Sequence, residues 1–273
     1  MTGDRPRVRS RCGEFPPPTL EVLPQAIAGN VRIAQRRSRT PIMAVVKADG
    51  YGHGAGTVAR AAVAAGATWL GTTDVAEAAA LRAAGLEVPI LAWLHPSGVD
   101  VAAAAAHRID VALGSLDELD AVVRRAGTRG LRIHLNVDVG MAREGCPEDD
   151  WDALFARALR AQRQGRLRVV GLMGHLPLAD RADPAANASA VTGILRARDA
   201  MAAAGLGNPL THLAATSGTL TDPATHGGLV RFGRRAGRHR PVRHHRAARR
   251  RPADRAGGAQ RGGPGGYAGR LRR

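Results

Sequence analysis

Residues 43–54 read M-A-V-V-K-A-D-G-Y-G-H-G, an apolar run followed by a lysine and a loop rich in glycine. The run over 43–46 has the length and the β-branched content of a buried parallel strand. Gly50, Gly52 and Gly54 give the next segment the backbone freedom to approach a ligand closely. We therefore expect Lys47 at the carboxyl end of a strand, beside a loop that can wrap a bound molecule.

Lys47 is the only lysine in the 273-residue chain, and the other 39 of the 40 basic residues are arginine. A guanidinium stays protonated and is a poor nucleophile, whereas a desolvated ammonium can lose its proton and attack a carbonyl carbon to form a Schiff base. A solvated surface lysine without a chemical role is the alternative interpretation. The strand before Lys47 and the glycines after it favour the reactive amine.

Helical and strand patterns alternate along the chain. Helices are predicted over 19–37, 57–65, 75–84, 99–107, 117–125, 148–164 and 188–204, and strands over 43–46, 68–73, 88–94, 110–114, 132–137, 169–175, 210–214 and 229–232. Strands that alternate with helices imply right-handed crossovers and a parallel sheet. Eight such units in about 200 residues predict an α/β fold of the closed (β/α)8 type, a TIM barrel.

A barrel of this kind builds its active site at the carboxyl ends of its strands. Polar residues at those positions are therefore candidates as a group. They are Lys47, Tyr51, Asp74, His95, Arg143, His175, His212, Thr216 and Arg231.

The stretch A-V-V-K-A-D-G-Y-G-H-G resembles the pyridoxal phosphate attachment motif of the alanine racemases. The resemblance implies that Lys47 carries pyridoxal 5'-phosphate as an internal aldimine and that Tyr51 contacts the phosphate. In D-V-G-M-A-R-E-G, Arg143 is similar to the family arginine that contacts the phenolic oxygen of the cofactor and the substrate carboxylate. In M-G-H-L-P-L-A-D, His175 is similar to the histidine near the cofactor ring. A surface arginine and a satisfied core histidine are the alternative interpretations.

The segments T-H-L-A-A-T-S-G-T-L-T-D-P-A-T-H and L-V-R-F-G resemble the family's elements for the phosphate and the ring nitrogen. Thr216 matches a phosphate-binding serine, with Ser217 as the alternative if the register is one residue off. Gly233 matches a backbone donor to the phosphate. Arg231 matches the arginine that faces the pyridine nitrogen of the cofactor. A guanidinium can only donate a hydrogen bond, so this nitrogen stays unprotonated. The ring is then a weaker electron sink, which discourages side reactions and favours racemisation.

Three positions depart from the family pattern. Gly174, Ala215 and Phe232 stand where the family often has serine, asparagine and proline. None of the three changes removes a group that the cofactor needs.

The resemblance implies an isomerase that interconverts L-alanine and D-alanine and supplies D-alanine for peptidoglycan. Lys47 would move the α-proton on one face of the substrate, and a tyrosine of a second subunit in a homodimer would serve the other face. Two alternatives stay open: a pyridoxal phosphate-binding barrel without catalysis, and a racemase for another amino acid.

The net charge of +17 is concentrated at one end of the chain. Residues 234–273 contain 14 arginines and one acid, a net of +13, which leaves +4 for the other 233 residues. This Arg/Gly-rich segment has few aliphatic side chains, so we expect it to be disordered or read out of frame, with nucleic-acid binding as a less favoured alternative. We also expect 1–18 to be disordered, the racemase-like barrel to span 19–233, and activity to be impaired because the β-rich C-terminal domain of the family is missing.

The rest of the composition argues against several classes of protein: disulfide-rich, metal-binding, membrane-spanning and secreted. Cys12 and Cys146 are too few for a disulfide framework and lack the spacing of a metal site. No apolar run has the length of a membrane span, and no apolar core follows the arginines near the start, so these residues do not form a secretory signal. We expect a cytoplasmic enzyme without a metal ion.

Overall fold

The computed structural model describes residues 20–127, 130–181 and 184–233. The expectations for 1–18 and for 234–273 concern residues outside the described ones. The expected barrel, over 19–233, is described almost throughout.

Strands and helices alternate from residue 24 to residue 232. The strands are β1 (Ile42–Val45), β2 (Trp69–Thr72), β3 (Ile90–Ala92), β4 (Ile109–Leu113), β5 (Leu131–Asn136), β6 (Leu167–Met173), β7 (Leu210–His212) and β8 (Val230–Phe232). The helices are α1 (Pro24–Arg37), α2 (Lys47–Gly52), α3 (Ala55–Ala64), α4 (Val75–Ala83), α5 (Val101–Ala106), α6 (Leu116–Ala126), α7 (Trp151–Arg163), α8 (Ala188–Ala203) and α9 (Thr216–Thr221). The predicted α/β architecture is confirmed.

All paired strands are parallel, in the order β7-β6-β5-β4-β3-β2-β1-β8. The eight strands form a barrel that is nearly closed, since β7 and β8 are the two ends of this order. Single hydrogen bonds cross the seam between them in the described chain: Gly228 N donates to Thr211 O at 2.8 Å, and Arg231 N donates to Ala214 O at 3.0 Å. Each of these two strands has three residues and forms its ladder on the other side, β7 with β6 and β8 with β1.

The alternation of side chains along each strand divides the core into two layers. Met43 belongs to a small cluster with Leu91, Ala112, Met173 and Leu229. Its neighbours Ile42 and Ala44, on the opposite face of the strand, belong to the large cluster that lies between the strands and the helices. The strands are therefore buried on both faces, as a parallel barrel requires.

Three local features differ from the sequence-based expectation. Ala48, Asp49, Gly50 and Tyr51 have φ angles of 51° to 63°, so the segment after Lys47 is one left-handed helical turn. Such a turn is disfavoured for L-residues, and carboxylates hold it here. Asp49 Oδ1 accepts from Ala55 N at 2.7 Å, and Glu77 Oε1 accepts from Asp49 N at 3.3 Å.

The second difference is α9, a short helix directly after β7 that its polar sequence T-S-G-T-L-T did not predict. The opening helix also starts at Pro24 rather than at residue 19, because proline suits the first turn of a helix. In the part of the chain that the structure describes, no helix combines the length and the apolar character needed to cross a bilayer.

Candidate active site

One pocket of about 140 Å³ is lined by all seven residues that the resemblance assigns to the site. They come from the ends of β1, β6 and β8 and from the segments after β1, β5 and β7. These residues are Lys47, Tyr51, Arg143, His175, Thr216, Arg231 and Gly233. Parallel strands that close around an axis bring their carboxyl ends to one face, so residues far apart in sequence meet here.

Lys47 begins the left-handed turn after β1, and its ammonium lies 5.8 Å from the centre of the Trp93 ring. Burial is the main cause that lowers the pKa of Lys47, and the positive charge of Arg143 adds to it. Glu144 acts in the opposite direction. The amine is therefore easier to deprotonate than an exposed lysine and more available as a nucleophile or base.

Hydroxyl and amide groups gather at a second part of the pocket, around Gly233. Its N–H donates to Thr216 Oγ1 at 3.0 Å. A Cβ atom at Gly233 would lie 2.9 Å from Tyr51 Oη and 3.0 Å from Val45 Cβ, so a side chain at this position would have to displace one of these neighbours. Donors packed this closely suit the oxygens of an anionic group such as a phosphate. Thr216 lines the pocket, whereas Ser217, the alternative one residue later, is not among the lining residues.

Arg231 is 4% exposed and lies at the bottom of the pocket. Its Nη1 donates to His212 O at 3.0 Å and to His212 Nδ1 at 2.8 Å. Its Nη2 donates to Gly174 O at 2.7 Å, to Leu213 O at 3.0 Å and to His175 Nδ1 at 3.2 Å. Burial lowers the pKa of Arg231 to about 10, so the guanidinium is still a cation at neutral pH. Within the described residues these bonds use Nη1 and Nη2, and none uses the Nε hydrogen.

His175 and Arg143 complete the wall. Burial, followed by the positive charges of Arg231, Arg143 and Lys47, lowers the pKa of His175 to about 3. His175 is therefore neutral at pH 7 and receives a hydrogen bond at Nδ1. Arg143 lies on the loop after β5, where its Nε is 3.4 Å from Glu144 Oε1 and its side chain is 52% exposed. That exposure leaves the guanidinium free to reach a ligand by breaking one weak surface pair.

Three of the wider set of strand-end residues lie elsewhere. Asp74 caps α4 by accepting from Glu77 N at 3.0 Å. His95 lines a neighbouring groove together with Ser115 and Glu118. His212 is fully buried beneath the pocket, in contact with Arg231. Strand-end position alone therefore did not separate structural residues from pocket residues.

Sequence reasoning also missed residues that line the pocket. Trp93 follows β3 directly, and Asn136 is the last residue of β5. Both lie at the carboxyl end of a strand, where the sequence predicts site residues. They were missed because the candidates did not include a tryptophan or an asparagine. Glu144, Met141 and Met173 also line the pocket.

Residues 22–235 match the family model "Alanine racemase, N-terminal domain". The alanine racemase of Thermobifida fusca is 43% identical over 211 residues, which cover 76% of this chain and 56% of the relative. The crystal structure of alanine racemase from D-cycloserine producing Streptomyces lavendulae has a TM-score of 0.74 at 38% identity, covering 77% of this chain and 56% of the other. The structure from Streptomyces coelicolor A3(2) has a TM-score of 0.74 at 41% identity, covering 77% and 57%. The chain thus spans about half the length of the curated relatives it matches.

Proposed function

The chain belongs to the alanine racemase family through its N-terminal domain, and on this premise we propose that it binds pyridoxal 5'-phosphate at Lys47 and interconverts L-alanine and D-alanine. The observation that carries the proposal is the surroundings of the only lysine. Lys47 shares one pocket with the donors around Gly233 and with the buried cation Arg231. The family uses pyridoxal 5'-phosphate, and its relatives with about 40% identity are named alanine racemases.

The residues of the pocket fit this cofactor. The hydroxyls of Tyr51 and Thr216 and the amide of Gly233 would hold the phosphate, in a space that a side chain at position 233 would fill. Arg231 would donate its Nε hydrogen to the ring nitrogen. The amine of Lys47, whose pKa is lowered by burial, would react with the aldehyde carbon.

Bound pyridoxal 5'-phosphate supplies the electron sink that makes the α-proton of an amino acid acidic. Lys47 would then take that proton on its own face of the substrate, as a general base made effective by its lowered pKa. Arg143 would bind the substrate carboxylate through its guanidinium after leaving Glu144. His175 would pack at the ring as a neutral side chain.

Racemisation also requires a proton on the opposite face. Among the described residues of the pocket, Tyr51 lies against Gly233 and His175 is neutral and accepts from Arg231. We therefore assign the second face to a tyrosine of another subunit in a homodimer. A chain that cannot recruit such a group would racemise alanine slowly, because a positioned acid or base contributes about 10² to 10⁴ in rate. A cytoplasmic location and a role in D-alanine supply remain predictions.

The experiment is to incubate the purified chain with pyridoxal 5'-phosphate, reduce it with borohydride and map the labelled peptides. We expect the label on Lys47 and none at this site in Lys47→Arg, which keeps the charge but lacks the amine. Label confined to the N-terminal amine would contradict the proposal. The non-catalytic alternative is distinguished by exchange of the α-hydrogen of alanine in D₂O: a barrel that binds the cofactor without catalysis takes the label at Lys47 and leaves alanine unexchanged.

A further inference from the structure

A continuous line of hydrogen bonds runs through the barrel interior beneath the pocket. Arg231 Nη1 is 2.8 Å from His212 Nδ1, and His212 Nε2 is 2.9 Å from His134 Nδ1. His134 Nε2 is 3.4 Å from Asp110 Oδ2. Arg132 then closes the line with two bonds to the Asp110 carboxylate, at 2.8 Å and 3.1 Å. The line connects β8, β7, β5 and β4.

The direction of every bond follows from the two ends of the line. A guanidinium can only donate, so His212 Nδ1 must be bare and accept from Arg231. His212 then carries its hydrogen on Nε2 and donates to His134 Nδ1, and His134 carries its hydrogen on Nε2 and donates to Asp110. Burial alone would raise the pKa of Asp110, but hydrogen bonds from His134 and Arg132 outweigh it and hold this pKa below its usual value. The acceptor end is therefore a carboxylate.

The opposite tautomer of His212 would disrupt the floor of the pocket. A hydrogen on Nδ1 would face the N–H group of Arg231, and the bare Nε2 would face a bare Nδ1 on His134. Both rings are fully buried, so no water would satisfy these groups. An unsatisfied buried polar group is costly, and the simplest relief is for the Arg231 guanidinium to move.

The barrel makes specific room for the His134 ring. A Cβ atom at Gly171, in β6, would lie 1.9 Å from His134 Nδ1. The pairing of β5 with β6 also shifts register between Ile133 and His134. Trp69 packs nearly perpendicular to the His134 ring, with centroids 5.7 Å apart. The position of His134 is thus determined by its surroundings on several sides.

We propose that Asp110 and His134 are positioning residues that hold His212 in the tautomer with a bare Nδ1 and thereby fix the orientation of the Arg231 guanidinium in the pocket. Neither residue lines the pocket, so both act through His212. The effect on cofactor affinity rests on the proposed function, whereas the tautomer itself is a property of the protein without ligand.

Three variants separate hydrogen bonding from packing. His134→Phe fills the space but removes the acceptor for His212. His134→Gln restores an acceptor for His212 and a donor for Asp110. Trp69→Phe changes the packing against His134 and leaves the line of hydrogen bonds intact.

The decisive measurement is the ¹⁵N spectrum of His212 in the ligand-free full chain with labelled histidine. We expect a bare Nδ1 and a protonated Nε2 in the wild type, in His134→Gln and in Trp69→Phe, and a gain of protonated Nδ1 in His134→Phe. If His134→Phe does not fold, Asp110→Leu serves instead, since the half-exposed Arg132 can then turn to water. It leaves His134 without the acceptor that holds its hydrogen on Nε2, so protonated Nδ1 on His212 should also appear. An unchanged His212 spectrum in the folded variant overturns the inference.

Affinity for pyridoxal 5'-phosphate gives a second readout. We expect His134→Phe to weaken binding roughly 5- to 150-fold, the range that corresponds to one unsatisfied buried group. Trp69→Phe and His134→Gln should bind with nearly wild-type affinity. A wild-type chain that takes no cofactor at Lys47 would refute the proposed function, while the His212 spectrum would still decide the inference.

Discussion

Gly71 leaves open the space that the indole ring of Trp93 occupies. A Cβ atom on Gly71 would lie 2.5 Å from Trp93 Cζ3 and 3.0 Å from Met43 Sδ. The ring in turn lies beside the amine of Lys47. A glycine in the middle of β2 therefore helps to shape the pocket at the end of β1.

Gly71→Ala is expected to destabilise the fold, because the added methyl must displace a ring or a thioether. Overpacking of a core usually costs about 1–3 kcal/mol. Gly29→Ala is the control: apart from the backbone of its own helix, no neighbouring atom lies within 4 Å of the new methyl group, and alanine favours a helix over glycine. Denaturant unfolding should give a lower free energy for Gly71→Ala and an equal or higher one for Gly29→Ala. Equal stability of Gly71→Ala and the wild type would show that Trp93 has room to move.

The reactivity of Lys47 should respond in opposite directions to two neighbouring charges. Arg143 lowers the pKa of Lys47 and Glu144 raises it. Since the neutral amine is the reactive form, its rate of modification by an aldehyde rises with pH through this pKa. Arg143→Gln should move the midpoint to higher pH and Glu144→Gln to lower pH, as measured by peptide mapping after borohydride reduction. Shifts in the same direction would mean that the loop itself had moved.

Arg231→Lys should destabilise the barrel even without a cofactor. The guanidinium donates to the carbonyls of Gly174, His212 and Leu213, and so joins the ends of β6 and β7 to β8. An ammonium cannot reach all of these acceptors, and each buried group left unpaired costs about 1–3 kcal/mol. Arg196→Lys, at an exposed pair with Glu148, should cost less than about 1 kcal/mol. Equal losses of unfolding free energy in the two variants would contradict the role of Arg231 as a bridge.

The stability of the fold should fall as the pH decreases below about 6.5, the ordinary value for histidine. The pKa of His175 is lowered to about 3 in the folded protein, so between these two values the unfolded chain binds a proton that the folded chain does not. Stability therefore rises with pH across this range and is lost as pH falls. His175→Gln should reduce the slope by up to about 1.4 kcal/mol per pH unit. Chemical denaturation of the wild type and of His175→Gln at several pH values measures this slope.

The sequence by itself determined the order of the eight strands and of the longer helices between them, the barrel, and the position of Lys47 at a strand end. These features depend on short-range patterns: apolar periodicity within each segment, and a motif around the lysine that is contiguous in the chain. The same local information placed Arg143, His175, Thr216, Arg231 and Gly233 at strand ends. It did not reveal the left-handed turn, because four successive residues with positive φ are held by the carboxylates of Asp49 and Glu77 rather than by their own preferences.

Only the tertiary structure decided which strand-end residues share the pocket and which support it. His134 and His212 are 78 positions apart in the chain, and their contact depends on how β5 and β7 lie on either side of β6. Gly171 and Gly71 resemble any strand glycine in the sequence, yet each makes room for a ring from a neighbouring strand or loop. Contacts of this kind depend on side-chain packing between strands that are distant in the chain, which no periodicity within one segment encodes.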